Sequence, residues 1–210
     1  PGLSIGPDWL HGVGRDITPH GSLSILALVM LLTVSFLLLS DHDDLGMAMA
    51  ISFLIGALLT FLLKAVLQRP RPELVALSPA AQATSLPSGH ALMSAVTYLT
   101  LAAIVAIIAD RHAVRALAIA AGLAITVLVG VSRLYLGVHW PTDVLAGWAL
   151  GAAWVARIAH ALARRPASPR PRPPFVTSAL NKPDPIPQTD QRTEWQTTKA
   201  ETDVDVEVDK

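Results

Sequence analysis

Long apolar runs without charge constrain this 210-residue chain more than any other feature. Five such stretches lie at 22–39, 46–63, 91–109, 113–131 and 142–163, and the first three contain no charged residue. About 20 apolar residues are long enough to cross the hydrocarbon of a bilayer as a helix. Because backbone polar groups in lipid must be satisfied within the segment, these stretches predict helices rather than strands. We therefore expect an all-α, polytopic transmembrane bundle with five spanning helices.

The composition agrees with a membrane protein and excludes several functions. Hydrophobic residues make up 52% of the chain and charged residues 15%, whereas about a quarter of a soluble domain is charged. The formal net charge is zero, which gives no reason to expect a nucleic-acid partner. There is no cysteine, which excludes disulfides, thiolate metal sites and cysteine nucleophiles. Gly147 and Gly151 favour close helix packing, either within one chain or between copies, so the oligomeric state stays open.

The two ends of the chain differ from the apolar middle. Residues 1–21 mix Trp9 with charges and prolines, which suits a segment at the lipid headgroups; a plain surface loop is the alternative. Residues 166–210 hold half of the prolines and half of the acidic residues. Such a segment buries too little apolar surface to offset its ordering entropy, so we expect a disordered tail. The expected organisation is an interfacial segment at 1–21, a transmembrane domain at 22–165 and this tail.

Three polar motifs flank the apolar stretches. They are Lys64-x6-Arg71-Pro72, Pro87-Ser88-Gly89-His90 and Ser132-Arg133-x5-His139-x3-Asp143. If successive helices alternate in direction, the loop at 64–90 and the loop at 132–143 lie on the same face of the membrane. The motifs are therefore predicted to converge although they are far apart in sequence.

The residue types in these motifs suit the binding of phosphate. Lys64, Arg71 and Arg133 can stabilise phosphoryl oxygens, because arginine binds them with a planar fork and lysine acts as a point charge. Ser88 is a good N-cap. Gly89 lets the backbone approach a ligand, and the first amides of the following helix would point at an anion.

Two histidines and one carboxylate add possible reactive groups. One imidazole could attack phosphorus while the other protonates the leaving group. Asp143 follows His139 by four residues, and a carboxylate on one ring nitrogen makes the other nitrogen a better nucleophile. This favours His139 as the nucleophile and His90 as the acid. A zinc site at His90, His139 and Asp143 is the chemical alternative, which we disfavour because three adjacent cations would repel the metal. We expect neither a metal nor another cofactor.

Basic residues at the opposite helix ends predict the orientation in the membrane. These residues are Arg111, His112, Arg115, Arg157, Arg164 and Arg165. An excess of arginine and lysine in short loops marks the cytoplasmic side. We therefore expect a multi-pass protein of the cell membrane with its site on the extracytoplasmic face and its tail in the cytoplasm.

The three motifs together resemble the signatures of the type 2 phosphatidic acid phosphatase (PAP2) superfamily, over roughly residues 8–163. The resemblance implies a helical membrane phosphatase that acts without metal through a phosphohistidine. It implies His139 as the nucleophile, Asp143 as its partner, and His90 as the general acid and later the base. The phosphate would be held by Lys64, Arg71, Ser88, Gly89 and Arg133. We expect the substrate to be a membrane lipid phosphate monoester or diphosphate of the phosphatidic acid, phosphatidylglycerophosphate or undecaprenyl diphosphate type.

One departure and two alternatives accompany this resemblance. Membrane members of the family typically have six spanning helices, whereas five are predicted here. The absent first helix would precede Pro1, as expected for a chain truncated at its N-terminus. A vanadate-dependent haloperoxidase has a similar site but is soluble, which the apolar stretches disfavour. A non-catalytic lipid-binding or transport relative would not need the complete set of reactive residues.

Overall fold

The computed structural model describes residues 7–72 and 84–164, and every regular element in these ranges is helical. The six α-helices are α1 (Asp8–Ile17), α2 (Leu23–Leu39), α3 (Asp43–Leu67), α4 (Gly89–Ile108), α5 (His112–Tyr135) and α6 (Pro141–Ala163). A 3-10 turn, Thr18–Gly21, joins α1 to α2. The predicted tail at 166–210 lies outside the described residues, so its disorder stays a prediction.

Two helices extend beyond the apolar stretches that predict them. The first turn of α3 contains Asp43 and Asp44, where negative charge is favourable at a helix N-terminus. The same helix continues past Lys64 to Leu67, and the residue that caps it, Gln68, has a left-handed φ of 41°. Similarly, α5 continues past Arg133 to Tyr135. Both cations therefore lie in the last turns of helices rather than in the loops that follow.

Four of the described helices, α3 to α6, are long and apolar enough to cross a membrane. With 17 residues, α2 is about 26 Å long, somewhat less than the roughly 30 Å of hydrocarbon in a bilayer. It becomes a fifth candidate span when it is joined to the helical segment Trp9–Gly21, from which it is bent by 50°. The prediction of an all-α transmembrane bundle is confirmed, with four spans or up to five.

The bundle is built around α4. In its most apolar stretch 61% of the residues are buried, against 11% to 22% in the other three candidate spans. It contacts α2, α3, α5, α6 and the 3-10 turn. The outward faces of α2, α3 and α5 instead expose large apolar side chains such as Leu32, Leu54 and Leu117. Exposed apolar surface of this extent suits contact with lipid, and the central α4 places the second motif in the middle of the bundle.

Two glycines let α6 lie directly against α4. A Cβ atom added at Gly147 would lie 2.9 Å from both the Ser88 carbonyl oxygen and the Leu92 nitrogen. A Cβ atom added at Gly151 would lie 2.5 Å from the Cβ of Ala95. The pair therefore serves a helix contact within one chain.

We expect Gly151→Ala to destabilise the protein. The new methyl group would meet the Ala95 Cβ at 2.5 Å, which requires a backbone shift, and overpacking of this kind costs about 1–3 kcal/mol. Thermal unfolding of the purified protein in detergent should show a lower Tm.

The matched control is Gly46→Ala on α3, where the added Cβ atom would meet Leu38 at an ordinary 3.5 Å. Alanine favours a helix over glycine, so this variant should be at least as stable as the parent. Equal melting temperatures for the two variants would contradict the assigned contact between α4 and α6.

Candidate active site

Asp143 joins the second and third motifs. It lies in the first turn of α6, and its side chain is fully buried. Its backbone carbonyl accepts a hydrogen bond from the Ser88 N–H, with an N–O distance of 3.0 Å. Its carboxylate Oδ2 accepts the backbone N–H of Trp140, the N-cap of α6, also at 3.0 Å. The starts of α4 and α6 are therefore held together at this residue.

His139 lies in the turn just before α6. Gly137 has a left-handed φ of 67°, which glycine adopts without strain, and this conformation forms the turn. The Nδ1 atom of His139 lies 3.5 Å from Asp143 Oδ2. This is longer than an ordinary N–H···O bond, and Nδ1 has no hydrogen-bond partner among the described residues. Hydrogen bonds at catalytic histidines often tighten only when a ligand is bound.

Burial keeps His139 neutral at physiological pH. Removal from water lowers the pKa of its imidazole to about 4, and the positive charges of Arg71, Arg133 and Lys64 act in the same direction. Asp143 opposes them by favouring the protonated ring. Because the resulting pKa lies well below 7, His139 has an unprotonated nitrogen that can act as a nucleophile.

The three predicted cations surround this histidine from three different elements. Lys64 reaches the start of α4, since a Cβ atom added at Gly89 would lie 4.0 Å from its Cε. Burial lowers the pKa of the Arg71 guanidinium, and Asp143 raises it. The Nε of Arg133 is buried and finds no hydrogen-bond acceptor in the described part of the chain. Buried polar atoms are normally satisfied, so an unpaired donor beside two other cations suits an anionic ligand.

His90 is the second residue of α4 and is partly buried. It lies within electrostatic range of Arg133, His139, Lys64 and Arg71. Its ring packs against the 3-10 turn, because a Cβ atom added at Gly21 would lie 3.0 Å from His90 Cδ2. The structure therefore brings both predicted histidines and all three predicted cations to one end of the bundle.

Ser88 and Gly89 lie at the start of α4, as predicted. The Ser88 hydroxyl accepts the N–H of Ala91 at 3.5 Å and caps the helix. Its side chain is fully buried, and its backbone N–H is bonded to Asp143. The phosphate contacts expected of Ser88 and Gly89 stay predictions.

The segment before α2 packs on the site, which the sequence did not indicate. The hydroxyls of Thr18 and Ser132 are 2.8 Å apart, although 114 positions separate them in sequence. The Tyr98 hydroxyl donates to the His20 carbonyl at 2.9 Å. No apolar periodicity in the sequence marks such contacts, so residues 1–21 are predicted only as an interfacial segment or a loop. The location of this segment at the lipid headgroups stays a prediction.

Arg69 is a second residue near the site that the three motifs do not specify. Its Nη1 donates to Asp143 Oδ1 at 3.0 Å and to Thr142 Oγ1 at 2.6 Å. Its guanidinium lies over the Trp140 ring, 5.5 Å from the centroid. The Arg-Pro pair at 69–70 directly precedes the Arg-Pro pair of the first motif, and this repetition was the available signal.

Within residues 7–72 and 84–164, no group of three histidine, aspartate or glutamate side chains is arranged to hold a metal ion. The zinc alternative at His90, His139 and Asp143 therefore gains no geometric support. The cations that converge on these residues suit an anion instead.

A cavity of about 320 Å³ lies beside His90 and Lys64. Both residues line it at the end where the motifs meet. Its other lining residues are mostly small or apolar: Gly21, Leu23, Ala57, Thr60, Phe61, Gly89 and Met93. A ligand with an apolar chain and a terminal anion would match a cavity that has apolar walls and a cation at one end.

Comparisons with known proteins point in the same direction. The family model of the PAP2 superfamily matches residues 45–167. Phosphatidylglycerophosphatase B of Bacillus subtilis (strain 168) is 35% identical over 147 residues, which cover 68% of this chain and 70% of that protein. An undecaprenyl-diphosphatase of Sulfolobus acidocaldarius is 34% identical over 128 residues, which cover 59% of this chain and 57% of the relative.

A solved structure also resembles the bundle. It is the crystal structure of a transmembrane PAP2-type phosphatidylglycerolphosphate phosphatase from Bacillus subtilis. The TM-score is 0.69 and the identity 30%, and the match covers 79% of this chain and 82% of the other.

Proposed function

Because the chain belongs to the PAP2 superfamily, we propose that it hydrolyses a membrane lipid phosphate monoester or diphosphate through a metal-independent phosphohistidine. The names of two relatives support a lipid substrate, since one is a phosphatidylglycerophosphatase and the other an undecaprenyl-diphosphatase. Phosphatidic acid, phosphatidylglycerophosphate and undecaprenyl diphosphate are the candidate substrates.

The cavity beside His90 is the observation that carries the lipid assignment. Its walls include Leu23, Phe61 and Met93, while Lys64 and His90 line its polar end. An acyl or isoprenyl chain would bury its apolar surface against these walls. The phosphate at the end of that chain would then meet the cations and His139.

The first chemical step forms the phosphoenzyme. The Nε2 of neutral His139 attacks phosphorus, and the bond from phosphorus to the leaving oxygen breaks. His90 gives a proton to that oxygen, which leaves as an alcohol or as a lipid monophosphate. Asp143 stabilises the positive charge that develops on the His139 ring.

The second step restores the enzyme. A water molecule gives a proton to His90 and attacks phosphorus, the bond from phosphorus to nitrogen breaks, and inorganic phosphate is released. Lys64, Arg71 and Arg133 stabilise the phosphoryl oxygens in both steps, as expected for a transition state with charge on its equatorial oxygens. Ser88 and the backbone amide of Gly89 complete the proposed phosphate-binding set.

The site is proposed to face the extracytoplasmic side. The opposite ends of the helices carry Arg111, Arg115, Arg157 and Arg164. These residues lie away from the motifs and count as topogenic positive charge, whereas Lys64, Arg71 and Arg133 are assigned to the substrate. This arrangement would give the enzyme access to lipids of the outer leaflet.

We expect the purified full-length protein to release phosphate from lipid phosphates or diphosphates in liposomes with a metal chelator present. The measurement is phosphate release from a panel of the three candidate lipids, with and without chelator. Turnover should be unchanged by the chelator, because the proposed nucleophile and acid are both histidines. Activity that disappears with chelator and returns with added metal would contradict the mechanism.

The role of His90 can be separated from that of His139 by the choice of leaving group. A lipid phosphate leaves as a strongly basic alkoxide and needs a proton, whereas the nitrophenolate of p-nitrophenyl phosphate does not. We expect His90→Ala to slow single-turnover release of the lipid alcohol by roughly 10² to 10⁴, the usual contribution of an acid catalyst, and to slow nitrophenolate release far less. His139→Ala should abolish both. Equal losses on the two substrates in His90→Ala would exclude His90 as the acid.

A further inference from the structure

We propose that Arg69 is a positioning residue for the reaction, acting on His139 through Asp143. This inference rests on the proposed function, because it assumes His139 as the nucleophile. It concerns a residue at a position that the first motif leaves unspecified, and one that acts through a carboxylate rather than on the phosphate.

The two oxygens of the Asp143 carboxylate have different partners. Oδ1 accepts a hydrogen bond from Arg69 Nη1 at 3.0 Å. Oδ2 accepts the Trp140 N–H at 3.0 Å and lies 3.5 Å from His139 Nδ1. Arg69 and the Trp140 amide together fix the plane of the carboxylate, so that Oδ2 stays directed at the imidazole.

Charge makes the contact with Arg69 important. The Asp143 side chain is fully buried, and an ionised carboxylate out of water is costly unless it is paired and hydrogen-bonded. Arg69 supplies a cation from the loop between α3 and α4. Without it, the carboxylate would lose its paired cation and rotate toward another donor, and it would then orient and stabilise the His139 ring less well.

Arg69 is itself held by neighbours on both sides. Its Nη1 also donates to Thr142 Oγ1 at 2.6 Å, and its guanidinium stacks over the Trp140 ring. Its backbone carbonyl accepts the Ser85 N–H at 2.8 Å. The next carbonyl, that of Pro70, accepts bonds from Ser85 Oγ at 3.0 Å and Trp140 Nε1 at 3.2 Å. The side chain is therefore already ordered before any ligand binds.

This placement predicts an effect on the chemical step rather than on binding. The contacts of Arg69 are to α6 residues behind His139, whereas Lys64 and His90 line the cavity. A variant that loses an interaction made only in the transition state has a lower kcat. A variant that loses an interaction equally strong in the ground state and the transition state has a higher KM.

We expect Arg69→Gln to lower kcat by on the order of tenfold to a hundredfold, the range seen when a hydrogen-bonded partner behind a metal-ligating histidine is removed, with KM little changed. Arg69→Lys keeps the charge but loses the planar fork, so it should recover part of the lost kcat. The matched control is Arg115→Gln at the opposite end of the bundle, where Arg115 Nε donates to the Ala109 carbonyl. That variant should match the parent, and melting temperatures in detergent would verify that each variant is folded.

A double-mutant cycle tests whether the effect passes through Asp143. In an Asp143→Asn background, Arg69→Gln should lower kcat by no more than about threefold, because the ion pair between the two side chains is already lost. An equal loss of kcat in the parent and in the Asp143→Asn background would overturn the proposal, since Arg69 would then act independently of Asp143.

Two further outcomes separate this inference from the proposed function. If Arg69→Gln has parental kcat while His139→Ala is inactive, the inference is wrong and the proposed function stands. If His139→Ala retains parental turnover, the proposed nucleophile is wrong and the inference falls with it. A rise in KM without a fall in kcat would make Arg69 a substrate-binding residue and would also overturn the inference.

Discussion

The buried carboxylate of Asp143 is the interaction on which the arrangement of the site depends. The backbone carbonyl of Asp143 accepts a hydrogen bond from Ser88 at the start of α4. The side chain of Asp143 accepts one from Arg69 in the loop after α3. The same side chain caps α6 and lies beside His139. A charged group without solvent requires such partners, and together with the backbone contact to Ser88 they make Asp143 the residue at which all three motifs meet.

The membrane helices give this contact its setting. Helix α4 is buried by its neighbours, and glycines on α6 let the two helices approach at the level of the second motif. Lys64 and Arg133 lie in the last turns of α3 and α5, so rigid elements hold their positions. Burial beside these cations keeps His139 unprotonated at neutral pH, which suits a nucleophile. The site thus combines fixed positive charge with a neutral imidazole.

The sequence predicted much of the fold because its strongest constraints are local. Uncharged apolar runs predict helices in lipid, and alternating directions place the loop at 64–90 and the loop at 132–143 on one face. The spacing of four residues predicted the approach of His139 to Asp143, although His139 precedes the helix rather than lying on it.

Contacts that depend on packing between distant segments could not be predicted in this way. The pairing of Thr18 with Ser132 and the packing of Gly21 against His90 leave no periodic signal in the sequence. Arg69 carries the same charge as Arg71, and only the folded loop shows that it donates to Asp143. The contact with α4 was likewise needed to show that Gly147 and Gly151 act within one chain rather than between chains.

The most direct test of the account is an experimental structure of the full-length protein with vanadate, which mimics a phosphoryl group in transfer. We predict vanadium bonded to the Nε2 of His139, with its oxygens contacted by Lys64, Arg71 and Arg133 and with His90 facing the apical oxygen. An oxyanion held by only one of the two loops, or bound away from the His139 ring, would contradict the claim that the three motifs form one phosphate site.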